Sequence, residues 1–158
     1  MQQVITFPEL VTIMEQHPIS IASRDDVLGG VYAAQGWEGR YRELMRLGRD
    51  LPALPEELYE YSCPVKGCES EVRLLLGITP EGGFWCWAHS EARIISGLIA
   101  LLLGQVNGLS AAQVCGLHLE AEMEELGLMR HLSPSRGNGL KAIINAIQSH
   151  ACCLSQQA

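Results

Sequence analysis

Six cysteines, at positions 63, 68, 86, 115, 152 and 153, are the side chains here with the most chemistry to offer. Cys68 lies in Pro64-Val65-Lys66-Gly67-Cys68-Glu69-Ser70, directly after a glycine and in a loop leading into a strand. A backbone of that kind is free to present its sulfur outward, whereas core cysteines usually sit within periodic apolar patterns. The neighbours of Cys68 are charged or polar, and Lys66 would help hold the thiolate, the form that attacks another sulfur. Spacing alone leaves two readings open, a reactive thiol and an ordinary loop cysteine.

A second stretch, Leu132-Ser133-Pro134-Ser135-Arg136-Gly137-Asn138-Gly139-Leu140, starts a helix with two glycines in its first turns. Each costs about 1 kcal/mol relative to alanine, and close approach by another segment would offset that. Bare N–H groups beside Arg136 would suit an anionic sulfur, so this turn is expected to pack near the Cys68 loop. A plain Ser-Pro helix start is the alternative.

Cys63, Cys68, Cys86 and His89 supply four ligand types that suit zinc, which would make the chain a small zinc-binding adaptor. Against this, Phe84, Cys86 and Ala88 fall on one face of a strand and Trp85, Trp87 and His89 on the other. A cysteine-hydrolase reading would pair Cys68 with His89, His118 or His131, but no signature supports the pairing. Cys115 falls in an apolar helix pattern and reads as core; Cys152 and Cys153 end the last helix and read as exposed. Glu120, Glu122, Glu124 and Glu125 read as a solvated face.

These residues must be positioned by a chain of 158 residues, enough for one domain over 1–158. With 47% hydrophobic and 18% charged residues and a mean hydropathy of +0.10, it has the composition of a protein with a substantial core. Eleven basic against eighteen acidic side chains give a net charge of −7, which argues against nucleic acid and anionic lipid as partners. The start, MQQVITFPEL, lacks the pattern of a secretory signal. The apolar run from Ile94 to Val106 is shorter than the roughly 20 residues that cross a bilayer. A cytoplasmic protein with six free thiols is the resulting expectation.

Thr6 to Glu9 reads as a capping box for a first helix that stops at His17-Pro18. Ser23 with Asp25 and Asp26 restarts a helix that Gly36 breaks. Trp37, Tyr41, Leu44 and Gly48 then recur at helical spacing, with Arg40, Arg42, Glu43 and Arg46 on a solvated face or docking surface. Residues 50–64 read as loop. Val72 to Ile78 and Phe84 to Ala88 form a hairpin around the turn Thr79 to Gly83. Ser90 would cap a helix apolar almost all round, hence buried. Short helices are expected at 110–116 and 118–126, with Gly127 as a stop, and the last begins at Ser133-Pro134. The order, helices then a small antiparallel sheet then helices, gives an α+β fold.

Four stretches together resemble the SufE family. Trp37-Glu38 with Tyr41, then Leu47-Gly48 and Leu51-Pro52, is similar to its W-E-x-x-Y…L-G-x-x-L-P opening. Gly67-Cys68-Glu69-Ser70 with Val72 matches its G-C-x-S-x-V loop. Ser90-Glu91 with Ile94, Gly97, Leu98 and Ile99 resembles its S-[DE]-x-x-I-x-x-G-L-[IL] helix, and Leu132 to Leu140 its L-[ST]-x-S-R-x-x-G-L segment. The resemblance runs from about Arg24 to Ile147, leaving an N-terminal helix and a C-terminal tail appended.

The resemblance implies an α+β fold shared with IscU-type scaffolds and a sulfur acceptor for a pyridoxal-phosphate (PLP) cysteine desulfurase. Cys68 would carry the sulfur as a persulfide to iron–sulfur cluster assembly or another acceptor. Glu91 and Arg136 fall at positions linked to loop behaviour. No metal or organic cofactor is implied for this chain, since the PLP belongs to the partner; a homodimer stays open. Ala88-His89 stands where the family commonly shows Gly-Asp, Arg73 replaces a common tryptophan, and Cys63 an asparagine. Cys63 would therefore have a chance to close a disulfide with Cys68 or to resolve its persulfide.

Overall fold

Both faces of a three-stranded antiparallel sheet are covered at the centre of the fold, in a computed structural model that describes residues 24–67, 71–79 and 81–156. The helix expected from Thr6 onward lies outside the described residues, as do Cys68, Glu69 and Ser70. The order is α1 (Arg24–Ala33), α2 (Gly36–Asp50), a 3-10 segment (Glu56–Tyr61), β1 (Cys63–Pro64), β2 (Val72–Ile78), β3 (Phe84–Ser90) and α3 (Arg93–Val106). Then come α4 (Ala111–Cys115), α5 (Leu119–Glu125), a second 3-10 turn (Met129–His131) and α6 (Pro134–Gln156).

The strands run β1-β2-β3, with Cys63 opposite Leu74 and Leu75 opposite Trp87. Val72, Leu74 and Leu76 share one face with Phe84, Cys86 and Ala88, and this face joins the main core. Leu75, Trp85 and Trp87 point the other way and pack against Leu54 and Leu58. Of residues 50–64, expected as loop, Leu54 and the 3-10 segment form the cover of the second face, and Cys63–Pro64 is the strand β1. Trp87 Nε1 donates to the Pro52 carbonyl at 3.0 Å, fixing that cover to the sheet. A strand buried on both faces loses the alternation that marks a half-exposed one.

At the outer side of β3, Asn107 stands in for a neighbouring strand. Its Oδ1 accepts from the Cys86 N–H at 2.8 Å and its Nδ2 donates to the Cys86 carbonyl at 3.0 Å. Phe84 N–H donates to the Leu109 carbonyl at 2.6 Å on the same edge.

Helix α3 is buried from Ile94 through Val106, as its all-round apolar sequence requires. Each Leu, Ile or Val fully removed from water contributes about 1.5–3 kcal/mol. The helix packs on α1, α2, β3 and α6. Ser90, expected as its cap, is instead the last residue of β3, and Ala92 is the N-cap. The strand ladder extends two residues further than expected, and the Ser90 hydroxyl accepts from the Ala92 N–H at 3.1 Å.

Helices α2 and α3 meet through glycine. A Cβ on Gly97 would fall on the Leu44 carbonyl, and one on Gly48 on the Arg93 carbonyl. Backbone lies on both sides of the crossing, so no flexible side chain can move aside.

The free-thiol expectation fails at two positions. Cys115, at the end of α4, is joined to Cys152 on α6 by a disulfide, with Cα atoms 4.8 Å apart. Helix α4 lies against the C-terminal half of α6, an approach across 37 residues that no local pattern encodes. Cys63, Cys86 and Cys153 are free.

Gly97→Ala is expected to lower unfolding stability by about 1–3 kcal/mol through overpacking. Gly29→Ala, on an α1 position with open space around it, should be neutral or mildly stabilising. Urea titrations of both variants check the contrast.

Candidate functional site

The segment that contains Cys68 is clamped at its base. Val65, which is buried, donates its N–H to the Val72 carbonyl at 2.9 Å, which ties the end of β1 to the start of β2. Gly67 has φ +96°, a left-handed conformation that glycine adopts without a Cβ penalty. A Cβ there would stand 3.3 Å from the Ala142 methyl on α6. The residue just before Cys68 thus rests on α6, about two turns after the helix begins.

The Leu132 to Leu140 turn was expected to approach the Cys68 loop, and the helix it opens is the one that carries this contact. Ala142, which no motif marked, is the residue touched. Pro134 takes the first helical position, where its missing N–H costs nothing. Arg136 is exposed, with its backbone N–H 3.4 Å from the Ser133 hydroxyl, and Lys66 is exposed in the turn before Gly67. Cys68 itself lies outside the described residues.

Glu91 belongs to a different flank. With His89, Arg73, Glu71, Tyr59, Leu54 and Ala53 it lines a hollow of about 140 Å³ where β2 begins and β3 ends. Arg73 and His89 are directly opposed across the strands. Arg73 Nε donates to the Ser62 hydroxyl at 2.7 Å and Nη2 to the Tyr59 carbonyl at 3.2 Å, with its guanidinium 5.1 Å from the Tyr59 ring centre. It ties the 3-10 segment to the sheet. The signal for that role was a charge at the second position of Val72–Ile78, an otherwise apolar strand. Burial pushes the His89 imidazole below its ordinary value, and the Glu91 carboxylate opposes the shift.

The ligands of the zinc reading diverge. Cys86 is enclosed in the main core, while His89 lines the hollow on the other face. Among the described residues no group of three His, Cys, Asp or Glu could hold a metal ion. Cys63 directs its Sγ to the Leu74 carbonyl at 3.5 Å, and burial raises its thiol pKa. Both features favour the protonated form. Of the histidines considered as partners for Cys68, His131 stacks on Trp37 with ring centres 4.3 Å apart, and His118 is exposed.

The arginines of α2 divide. Arg46 pairs with Glu43 and Asp50 along the helix, whereas Arg40 turns to the Leu126 carbonyl at the end of α5. Trp37, Glu38, Tyr41, Arg42 and Met45 line an open hollow of about 490 Å³ beside them. No described residue of α2 reaches the Gly67 turn through a hydrogen bond or ion pair.

The chain matches the family described as "SufE: Fe-S metabolism associated domain" over residues 25–151, and it belongs to that family. It is 39% identical over 132 residues to the Escherichia coli protein named "Sulfur acceptor protein CsdE", covering 83% of this chain and 90% of that one. An uncharacterized SufE-like protein of Rhizobium etli is 32% identical over 134 residues, covering 83% of this chain and 90% of that one. The fold is shared with the solution structure of a hypothetical protein from Thermus thermophilus. There the TM-score is 0.66 at 17% identity, over 82% of this chain and 93% of the other. The expected α+β class with a small antiparallel sheet is the class found.

Because the folded state favours neutral His89, its contribution is intact above the ordinary value of 6.5 and is lost as pH falls through the lower folded value. Unfolding midpoints in urea at about pH 7.5 and about pH 5.5 should fall less in His89→Gln than in the parent protein. A separate expectation concerns the described free thiols at about pH 8, among which alkylation should reach exposed Cys153 before half-buried Cys63. Cys86, enclosed and with its thiol pKa pushed up by burial, should react on unfolding, as timed peptide mass mapping would reveal.

Proposed function

We propose that this protein is the sulfur acceptor of a PLP-dependent cysteine desulfurase, with Cys68 as the accepting residue. Membership of the SufE family and the name borne by the Escherichia coli relative support the role. The observation that carries the choice of residue is the left-handed Gly67, seated on Ala142 and immediately preceding Cys68. A glycine hinge anchored on one side lets the next residue change direction while the base of the loop stays clamped by Val65 and Val72.

The transfer is a sulfur-to-sulfur displacement. The Cys68 thiolate attacks the outer sulfur of the desulfurase persulfide, the S–S bond to the enzyme breaks, and the enzyme cysteine leaves as a thiolate. Cys68 then holds the sulfur as a persulfide, and the enzyme is freed for its next turnover, which is how a carrier stimulates a desulfurase. The chain acts as a carrier and activator, not as a stand-alone enzyme. Electrons stay within the sulfur pair, so this chain needs no cofactor; the PLP belongs to the partner.

Lys66, one residue before the hinge, and Arg136, at the start of the helix on which the loop rests, supply positive charge for the thiolate. Glu91, beside His89 just after β3, is the other residue at a position that the family resemblance links to loop behaviour. The persulfide passes to an iron–sulfur scaffold or another acceptor. One Cys68 per chain suffices, so the relay runs equally in a monomer or a homodimer.

Incubation with a desulfurase and cysteine should add one sulfur atom to the protein, located at residue 68 by peptide mass spectrometry. Cys68→Ser should lose both that gain and the stimulation of cysteine turnover. Parent protein that neither gains sulfur at Cys68 nor accelerates the desulfurase would refute the assignment.

A further inference from the structure

Where α4 meets the last helix, three sulfurs gather that the acceptor chemistry does not use. Cys115 and Cys152 are bonded, and Cys153 follows as an exposed free thiol. The bonded pair lies ten residues beyond Ala142, about 15 Å along the helix from the seat of Gly67. Both bonded residues are half-buried, in contrast to the enclosed Cys86.

The bond is not the sole contact between α4 and α6. Gln148, one turn before Cys152, donates from Nε2 to the Val114 carbonyl at 3.2 Å and the Leu117 carbonyl at 2.6 Å. Val114, Ile144, Ile147 and Ala151 are buried in the same contact. Side chains of α6 thus hold the end of α4 in register whether or not the sulfurs are joined. Opened thiols stay close enough to rejoin. Cys153 projects about 100° away around the helix and stays outside the pair.

We infer that Cys115–Cys152 is a reversible redox clasp, a site of thiol–disulfide exchange with low-molecular-weight thiols of the glutathione type. To open it, a small thiolate attacks one sulfur of the bond, forming a mixed disulfide and releasing the other cysteine as a thiolate that takes up a proton. A second small thiol, also as the thiolate, displaces the remaining cysteine, which is protonated in turn. Two small thiols leave as one disulfide, and their two electrons and two protons reside on Cys115 and Cys152. The oxidised small disulfide drives the reverse steps. A closed clasp restricts the unfolded chain, so its state shifts the stability of the fold while the native contact of α4 and α6 is kept.

The full-length protein, equilibrated in glutathione buffers of graded redox ratio, quenched by alkylation and peptide-mapped, reads the site directly. Cys115 and Cys152 should convert together, half open at one intermediate ratio. Reduction should lower Tm by roughly 5–15 °C in the parent and in Cys153→Ser. It should have no effect in Cys115→Ser, and that variant should still accept sulfur at Cys68. Thiols that persist at the most oxidising ratio would overturn the inference, as would a bond that survives the most reducing one. A link from Cys115 to Cys153, or a Tm indifferent to reduction, would do so equally. The exchange is measured without any desulfurase, so failure of the acceptor role leaves this result unaffected.

Discussion

A helix that is apolar around its whole circumference cannot turn any side to water, and the rest of this fold is arranged to enclose one. Helix α3 is covered by α1 and α2, by the inward face of β3 and by α6. Its enclosure depends on a close approach to α2, where Gly48 and Gly97 bring two backbones together without side chains between them. Close-packed interiors transmit small changes in volume to their neighbours. The two glycines that resemble family positions in the sequence thus have a steric reason to be glycine.

That enclosure also positions the loop proposed to carry sulfur. The sheet is held by α3 on one face and by the Leu54 and Leu58 cover on the other, so β2 is fixed from both sides. The connection before β2 starts and ends on a rigid frame, with Val65 and Val72 bonded at its base. Helix α6, packed on α3 and α4, provides the seat for Gly67. The seat gives the residue that follows a defined origin on a framework fixed by the sheet, α3 and α6. A group that must meet a donor on another protein gains from that combination, because the framework need not rearrange when the loop does.

Much of this was legible in the amino-acid sequence, and the parts that were not share a cause. The short apolar run ahead of the turn Thr79 to Gly83 located Val72–Ile78 to the residue, and the almost all-round apolar run located α3, because both signals are local. Gly127 marked the stop after α5, with φ +75°. Ser90 was read two residues out of place as a cap because a hydroxyl ahead of a helix looks the same whether it ends a strand or starts the helix. The Cys115–Cys152 bond, the seat of Gly67 on Ala142 and the anchoring of the 3-10 segment by Arg73 are contacts between distant residues of unremarked type. Composition could not distinguish Cys115 as bonded, since a half-buried cysteine in an apolar helix reads as a packed thiol. Within the proposed site, the glycine before Cys68 was legible and its partner helix was anticipated, but the touching residue was not.

The amide of Asn107 has a consequence for how other proteins can approach. By bonding both backbone groups of Cys86, it occupies the hydrogen-bonding edge that a foreign strand would need. The opposite border ends in two residues, one of which, Pro64, has no N–H to offer. The β3 margin is therefore occupied at Cys86, and the strand on the other side is only two residues long, which gives a foreign strand little to pair with at either place. Recognition of this surface must come through side chains and turns, which leaves discrimination among partners to shape and charge.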